Sequence, residues 1–301
     1  MAHRRPGGRL RIPGLLPLLV LAAACGSPED RDPAADALPF PDAVSLTDAG
    51  GRTLALAEPA TRILSLVPSV TETIHRMGAG DLLVGRTDYD TLSALQGLPT
   101  VGGGLGPSLE IIRTLEPQVV ITFAGASDPR TARGLSAFGI PVFAVRPDRV
   151  ADVLSIIRQM GILTGRGARA EALADTLEAR LAEVRAAVEG LPVLRVVYLL
   201  GGSPPLAAGP GTFISDLVTL AGGENVLHDL TGLYAPVSPE VLRAREVDVI
   251  LTGEGSPLDP RLTAERRVAE IPAWVEIPGP GLGEAAWVVA RALRPGLPGG
   301  A

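Results

Sequence analysis

Few side chains in this sequence could carry catalytic or metal chemistry. The 301 residues include three histidines and one cysteine, and all 27 basic residues are arginines. The absence of lysine excludes Schiff-base chemistry and a lysine-dependent phosphate loop. His3 lies in an N-terminal targeting segment, and neither His75 nor His228 has a His or Cys neighbour at metal-ligand spacing. We therefore predict no metal site, a structural role for His75 in a helix and a solvated loop position for His228.

The sequence also lacks the short motifs of common enzyme classes. It contains no Gly-x-Ser-x-Gly elbow and no Gly-x-x-x-x-Gly-Lys loop. Residues 102–106 read Gly-Gly-Gly-Leu-Gly, which departs from the dinucleotide-binding spacing and predicts a turn-rich loop. No pair of acids stands out as a general acid and base. Elimination therefore favours a binding protein that is not an enzyme and uses no cofactor.

The first 24 residues are typical of an export signal. Four arginines precede an apolar stretch at 12–24, which is too short to span a bilayer. This stretch ends Leu-Ala-Ala-Ala before Cys25 and resembles the lipobox of bacterial lipoproteins, although Ala22 replaces the usual leucine. We expect removal of residues 1–24, lipidation of Cys25 and anchoring to the cell membrane on its periplasmic or extracytoplasmic face. An ordinary secretory signal cut near the same point is the alternative.

The charge balance argues against a nucleic-acid partner. Residues 1–24 carry four arginines and no acids, so their removal lowers the net charge from −6 to −10. Such a chain is poorly suited to phosphate backbones, and 3% aromatic residues leave few stacking platforms for single strands. Residues 25–41 are rich in Pro, Asp, Ala and Ser without apolar periodicity, which predicts a flexible tether.

From residue 42 onward, short strand-like runs alternate with helical stretches, as in parallel sheets built from βαβ units. At 149–190 the pattern is helical throughout. Within that segment, residues 168–189 carry Leu and Val at spacings of three and four, which predicts an amphipathic helix of about 33 Å. We therefore predict an α/β protein with lobes at 42–148 and 191–301, bridged by one long helix within 149–190, and a ligand cleft between the lobes.

The two predicted lobes also resemble each other. Residues 110–122 align with 240–252 with five identities in thirteen positions, and residues 77–81 are similar to 220–224. Both longer segments open with a serine, Ser108 and Ser238, that could cap a helix. This pattern indicates an internal duplication.

Several motifs resemble the substrate-binding proteins of cobalamin, iron–siderophore and haem importers. Residues 62–72 read Arg-Ile-Leu-Ser-Leu-Val-Pro-Ser-Val-Thr-Glu, and residues 77–85 read Met-Gly-Ala-Gly-Asp-Leu-Leu-Val-Gly. The resemblance covers about residues 62–294. It implies two α/β lobes bridged by one long helix, little hinge closure, and delivery of the ligand to an ABC permease. The remaining matching segments are 101–103, 109–110, 209–213 and 221–225.

Within this group the cobalamin binders are the most similar, and the resemblance implies that four residues contact a planar macrocycle. Tyr89, Phe123 and Tyr234 match aromatic positions of that group, and Leu206 matches a further position as an aliphatic residue. Aromatic and aliphatic walls suit a largely apolar ring system. Two features depart from the group: Asp-Thr-Leu follows the tyrosine, and Gly104 replaces an aromatic residue.

Alternative ligands stay open at this point. Haem is one, because a tyrosine can ligate its iron. A ferric siderophore is another, because Arg86 or Arg146 could bind its anionic groups. A more remote alternative is a surface lipoprotein with a protein-binding or carboxylate-based enzymatic role.

The resemblance also implies the protein partner. Glu110 and Glu240 are equivalent in the two repeats, and they match the glutamates with which the resembling family docks on its permease. A dimeric permease, with its ATPase subunits, would present the complementary site twice.

Overall fold

The computed structural model describes residues 43–125, 129–263 and 266–298. The predicted signal peptide, the tether and Cys25 therefore lie outside the described residues. The described part begins with a hairpin of two antiparallel strands, β1 (Val44–Thr47) and β2 (Thr53–Leu56). Alternate residues of β1 are buried, as the period of two in its sequence predicts. Among the described helices, none is long and apolar enough to cross a membrane.

The turn of this hairpin is organised by Asp48, which is buried. Its Oδ1 accepts hydrogen bonds from the backbone N–H groups of Gly50 at 2.8 Å and Arg52 at 2.9 Å. Its Oδ2 accepts from the Arg52 guanidinium at 2.8 Å and from the N–H of Ala144 at 3.3 Å. Burial alone would raise the pKa of Asp48, but the bonds from Arg52, Ala144 and Gly50 outweigh it and lower that pKa.

Replacing Asp48 with asparagine is expected to lower the free energy of unfolding by about 1–3 kcal/mol at neutral pH, because charge-assisted bonds to buried groups are lost. The pKa of Asp48 is lower in the folded chain than in the unfolded one, so its stabilisation is present above about pH 3.9 and is lost as the pH falls through the folded-state pKa. Urea titrations should therefore show a smaller difference in the free energy of unfolding between the wild type and Asp48→Asn at about pH 3 than at pH 7. Asp175→Asn, on the exposed surface, is the control. An equal difference in the free energy of unfolding at both pH values would contradict a stabilising role for the ionised Asp48.

The first lobe contains a four-stranded parallel sheet. Its strands are ordered β4-β3-β5-β6, so the sheet winds outward in both directions from β3 and β5. These central strands are buried on both faces, which explains their continuous apolar sequence. The strands are β3 (Ile63–Ser65), β4 (Leu83–Gly85), β5 (Val119–Phe123) and β6 (Val142–Val145), and the helices are α1 (Pro68–Arg76), α2 (Leu109–Leu115) and α3 (Pro129–Ala137).

Two helices connect the lobes in the chain. The first, α4 (Val150–Leu163), ends before Gly165, whose φ of +66° favours glycine. The second, α5 (Gly167–Val188), is 22 residues long and contains the predicted amphipathic segment. Its buried stripe is mostly the one predicted from the leucine and valine spacing, although Leu173 is only half-buried.

The second lobe contains a six-stranded mixed sheet. Five strands follow the order β10-β8-β7-β11-β12, and β9 pairs in parallel with the first half of β7. The strands are β7 (Leu194–Gly202), β8 (Pro205–Ala208), β9 (Gly223–Asn225), β10 (Tyr234–Pro236), β11 (Val249–Gly253) and β12 (Arg267–Ile271). The helices are α6 (Phe213–Leu220), α7 (Pro239–Arg243), α8 (Pro260–Thr263) and α9 (Leu282–Leu293). The predicted fold class, two α/β lobes bridged by a long helix, is confirmed.

The repeat indicated by the sequence extends through the structure. The order β4-β3-β5-β6 of the first lobe recurs as β9-β7-β11-β12 in the second, and all these pairs are parallel. The burial pattern of residues 107–116 is repeated position by position in 237–246. Two backbone hydrogen bonds are also equivalent. The carbonyl of Arg62 accepts from the N–H of Gln118 at 2.9 Å, and the carbonyl of Arg195 accepts from the N–H of Asp248 at 2.8 Å. The two lobes thus share a four-stranded parallel unit, to which the second lobe adds β8 and β10.

The lobes also share one hydrophobic core. A single cluster of buried side chains includes Ile63 and Phe143 of the first sheet, Leu177 of α5, and Leu251 and Val289 of the second lobe. Relative movement of the lobes would open this continuous packing. The free-energy cost would rise with the apolar area that becomes exposed to water. Little hinge closure, which the family resemblance implies, stays a prediction.

Arginine side chains cap the carboxyl ends of several helices. Arg169 donates to the carbonyls of Met77 and Gly78 after α1, each at 3.3 Å. Arg294 donates to the carbonyls of Ala221 and Gly222, after α6, at 2.6 and 2.9 Å. These bonds satisfy carbonyls that have no partner within the helix and place positive charge at the negative end of its dipole. Arg62 and Arg267 serve the ends of α2 and α9 in the same way.

Candidate ligand-binding cleft

The parallel strands of both lobes end at a common junction. In open α/β sheets, ligands bind beyond the carboxyl ends of the strands. Two observations bring the lobes together beyond these strand ends: Arg149, four residues after β6, donates to Asp216 of α6 at 2.6 Å, and Gly279, after β12, lies against Ser69 at the start of α1. A Cβ added to Gly279 would lie 3.0 Å from the Cβ of Ser69. This junction is the candidate ligand cleft.

The four predicted contact residues are all large apolar or aromatic side chains that remain accessible to solvent. The exposed fractions are 69% for Tyr89, 38% for Phe123, 40% for Leu206 and 41% for Tyr234. Such side chains gain from being covered, at about 25 cal/mol per Å² of apolar area. Their exposure favours a role as contact surfaces over a role in the hydrophobic core.

These residues come from both lobes. Tyr89 follows β4, and its ring lies 3.7 Å from the Cβ position of Gly103. Phe123 is the last residue of β5. Tyr234 pairs with Ala208 across the β10–β8 ladder, so Tyr234 and Leu206 share one face of that sheet. Each lobe therefore supplies one tyrosine and a second apolar group.

Two tyrosines of the second lobe are kept protonated by their surroundings. Tyr198 is buried, and its hydroxyl donates to Oε1 of Glu276. Burial, the hydrogen bond and the charge of Glu276 raise the pKa of Tyr198 far above its ordinary value. Partial burial, together with the charges of Asp148 and Glu276, raises the pKa of Tyr234 to about 12. Both phenols are therefore neutral hydrogen-bonding groups at physiological pH.

Several charged groups of the first lobe follow the carboxyl ends of its strands. Burial raises the pKa of Asp148; Arg146 opposes this and Asp152 adds to it. The Arg146 Nε lies 3.8 Å from Asp148 Oδ2. Arg86, after β4, donates from Nη1 to the carbonyl of Thr87 at 3.0 Å, while its buried Nε has no hydrogen-bond partner among the described residues. The two arginines suggested for anionic ligands thus differ, because only Arg146 has a carboxylate beside it.

The glycine-rich segment 102–106 is the predicted loop. A Cβ on Gly104 would lie 2.5 Å from the carbonyl oxygen of Leu66, which closes that position to any side chain. The departure of Gly104 from the aromatic residue of the cobalamin group therefore follows from how tightly this loop packs against the end of β3.

Sequence reasoning missed Asp148, Glu276 and Trp274 as candidate site residues. Glu276 and Trp274 lie in the short turn Ala273–Glu276 that follows β12. Trp274, with Glu72 and Arg76 of α1, lines a cavity of about 370 Å³. The position of these residues after the carboxyl ends of β6 and β12 is the signal that could have identified them.

The two histidines of the described chain do not form a site. His75 is half-buried in α1 beside Gly80, and His228 is exposed next to Asp229. Within residues 43–125, 129–263 and 266–298, no group of three or more His, Cys, Asp or Glu side chains could hold a metal ion.

Glu110 and Glu240 occupy equivalent, exposed positions in the first turns of α2 and α7. Their capping serines differ. Ser108 accepts from the N–H of Ile111 at 3.4 Å, but Ser238 makes no such bond and its hydroxyl interacts with the Glu240 carboxylate instead. Ser238 is thus the N-cap residue of α7, as expected, with Pro239 in the first turn, but its side chain makes no capping bond.

The arginines that follow these two glutamates also differ. The hydrogen bond from Ser238 is the main cause of the lowered pKa of Glu240, and Arg243, whose Nη1 donates to Glu240 at 3.3 Å, adds to it. The equivalent Arg113 lies over the ring of Phe138, 5.6 Å from its centroid. Glu240 therefore shares its charge with a neighbour, whereas the described structure pairs Glu110 with no arginine.

Comparisons with known proteins agree with this architecture. The family described as periplasmic binding protein matches residues 63–276. A cobalamin-binding protein of Halobacterium salinarum is 31% identical over 267 residues, covering 83% of this chain and 70% of that protein. A vitamin B12-binding protein of Vibrio parahaemolyticus is 25% identical over 217 residues, covering 72% of this chain and 78% of that protein.

A solved structure adds a second kind of relative. The periplasmic haem-binding protein RhuT from Roseiflexus, in its apo form, superposes with a TM-score of 0.66 at 26% identity, covering 78% of this chain and all of that chain. The resemblance found in the sequence is thereby confirmed. The family match spans both lobes and the long helix between them, and this chain therefore belongs to the periplasmic binding protein family.

Proposed function

We propose that this protein is the substrate-binding lipoprotein of an ABC importer, and that it captures cobalamin or a similar corrinoid and delivers it to the permease. The observation that carries the proposal is the set of accessible large apolar side chains, two from each lobe: Tyr89, Phe123, Leu206 and Tyr234. The cobalamin- and vitamin B12-binding relatives support the choice of a corrinoid.

The chemistry of this wall suits a flat, largely apolar macrocycle. Rings and aliphatic groups from two sides can cover both faces or edges of such a ligand, and each large contact removes apolar area from water. The neutral Tyr234 phenol supplies a hydrogen-bond donor at the edge of the wall. Most of the binding free energy is expected from area, with a few polar groups fixing the orientation.

Haem is the second candidate, and the haem-binding relative of known structure favours it. A tyrosine that ligates ferric iron does so as phenolate. Tyr89 is the more exposed of the two tyrosines and is therefore the candidate for such a ligand. Haem binding would then depend on the Tyr89 hydroxyl, whereas corrinoid binding would depend on its ring.

Parallel spectroscopic titrations distinguish the ligands. The purified protein without residues 1–25 is titrated with cyanocobalamin, haemin and a ferric hydroxamate siderophore. The visible spectrum and the affinity for each ligand are recorded. Preference for cyanocobalamin supports the proposal, and preference for haemin or the siderophore selects the corresponding alternative. Binding of none of the three would overturn it and favour the protein-binding or enzymatic reading.

Tyr89→Ala and Tyr234→Ala are each expected to weaken cyanocobalamin binding by about 1–3 kcal/mol, because each loses a ring that packs on the macrocycle. Isothermal titration measures the affinity, and thermal unfolding should change little because both side chains are exposed.

Phe138→Ala is the matched control, since Phe138 is similarly exposed but precedes β6 at the opposite end of the sheet. Unchanged affinity in both tyrosine variants, combined with reduced thermal stability, would assign the two rings to the core. Tyr89→Phe separates the ligands further, because only iron ligation needs the hydroxyl.

The proposed delivery step uses Glu110 and Glu240. Two equivalent carboxylates on equivalent helices suit a two-fold symmetric permease that presents a cationic site to each lobe. Lipidation of Cys25 would keep the binding protein near that permease. A single acyl chain gives marginal membrane attachment, whereas two or more anchor stably.

A further inference from the structure

Asp148 lies where the two lobes meet. It follows β6 by three residues and precedes α4, and its side chain is 19% exposed. The next residue, Arg149, donates to Asp216 of α6 in the second lobe at 2.6 Å, so Asp148 lies beside a contact between the lobes. β6 also pairs with β5 through Val145 and Phe123, which places Asp148 three residues beyond the strand position next to Phe123 of the proposed ligand wall. The contribution of its charge to the raised pKa of Tyr234 agrees with this placement.

The Asp148 carboxylate has unused hydrogen-bonding capacity. Within the described residues no donor lies at hydrogen-bond distance from its oxygens, and the Arg146 Nε at 3.8 Å is too distant for a hydrogen bond. The neighbouring acids differ. Asp216 accepts from Arg149 and from the N–H of Val150, with Arg149 Nη2 at 2.6 Å, and Asp152 accepts from the N–H of Arg149 at 2.8 Å. The Asp148 oxygens are therefore open to a ligand donor, and a hydrogen bond to an ionised acceptor is stronger than one to a neutral acceptor.

We propose that Asp148 is a specificity determinant that selects macrocycles with amide N–H donors at their edge over macrocycles with carboxylates there. This inference rests on the proposed function, because it assigns a role within the same cleft. The side-chain amides of a corrinoid donate to a carboxylate, whereas the propionates of haem are repelled by it.

Arg146 takes part in the same selection. Its guanidinium is about half exposed and could bind a ligand carboxylate, but the nearby Asp148 already offsets part of its charge. Removing the Asp148 charge therefore has two consequences. The amide-bearing ligand loses a charge-assisted acceptor, and the carboxylate-bearing ligand gains an unopposed arginine.

The test uses Asp148→Asn, which keeps the shape and removes the charge. We expect cyanocobalamin to bind about 5- to 10-fold more weakly and haemin about 5- to 10-fold more tightly, since a charged hydrogen bond is worth roughly a factor of ten. The affinity for haemin dimethyl ester, which has no propionate charge, should not change. Arg146→Gln should weaken haemin alone. Asp175→Asn, on the exposed face of α5, controls for net charge.

The possible failures are distinguishable. If the wild-type protein binds cyanocobalamin but Asp148→Asn keeps wild-type affinity for all three probes, only the role of Asp148 is overturned. Equal changes for haemin and its dimethyl ester would also overturn it, because charge would not be the cause. If the wild-type protein binds none of the probes, the proposed function and this inference both fall. Thermal unfolding of each variant verifies that the fold is intact.

Discussion

Ligand uptake is expected to fall to the level of cells that lack the protein when Glu110 and Glu240 are both replaced by arginine. The two carboxylates are exposed in the first turns of equivalent helices, so their replacement leaves the core and the cleft unchanged. Arginines there would face the arginines expected on the permease, and like charges at an interface cost several kcal/mol. Uptake of radiolabelled cobalamin in cells that express the cognate permease measures the effect.

Both glutamates are changed because they are not electrostatically alike. Glu240 forms an ion pair with Arg243. The equivalent Arg113 lies over the ring of Phe138 and does not pair with Glu110. A single replacement could therefore miss the dominant site. The control is Glu189→Arg with Glu224→Arg, an equal charge change at exposed positions in neither α2 nor α7. Ligand affinity should be the same in all variants, and normal uptake by the first double variant would leave Glu110 and Glu240 as helix-terminal acids only.

Replacing Cys25 with serine is expected to release the protein from membranes completely. Serine cannot form the thioether on which lipid attachment depends, and acyl chains supply the whole of the proposed anchoring free energy, about 0.8 kcal/mol per buried methylene. Cell fractionation with immunoblotting measures the distribution, and mass spectrometry of the wild-type N-terminus should find acyl groups on Cys25.

A serine variant that remains in the membrane fraction would contradict lipidation. Wild-type protein that is soluble and begins near the same residue would instead identify an ordinary secretory signal. Ala24→Gly, which keeps the cysteine and a small residue before it, is the comparison variant for a general effect of altering this segment.

The elements that follow a clear hydrophobic period could be predicted from the sequence. The hairpin, the central parallel strands and α5 each bury a repeating set of side chains, and this repetition is visible without a structure. The strands β9 and β10 could not be predicted in this way. Each has three residues, and each exists because a neighbouring strand pairs with it. Their conformation is set by tertiary contacts that no local pattern records.

The site shows the same division. The apolar wall could be proposed because large side chains such as Tyr89 and Tyr234 match positions of a known group. Asp148 and Glu276 could not, since acids are common in the sequence and become informative only when two strand ends approach each other. Tyr198 lies in a strand with an apolar sequence, and only the structure brings its hydroxyl to Glu276.

The use of arginine at the helix ends, in a chain without lysine, limits which chemical reagents can modify this protein. Each guanidinium carries several N–H donors in a fixed plane, so Arg169 and Arg294 can each bond two carbonyls at the end of a helix at once. Because the chain has no lysine, reagents that acylate or cross-link primary amines can react only at the N-terminus, and not even there once it carries an acyl group. Amine-directed cross-linking would therefore leave the complex with a permease undetected, and carboxylate- or arginine-directed reagents are needed to map it.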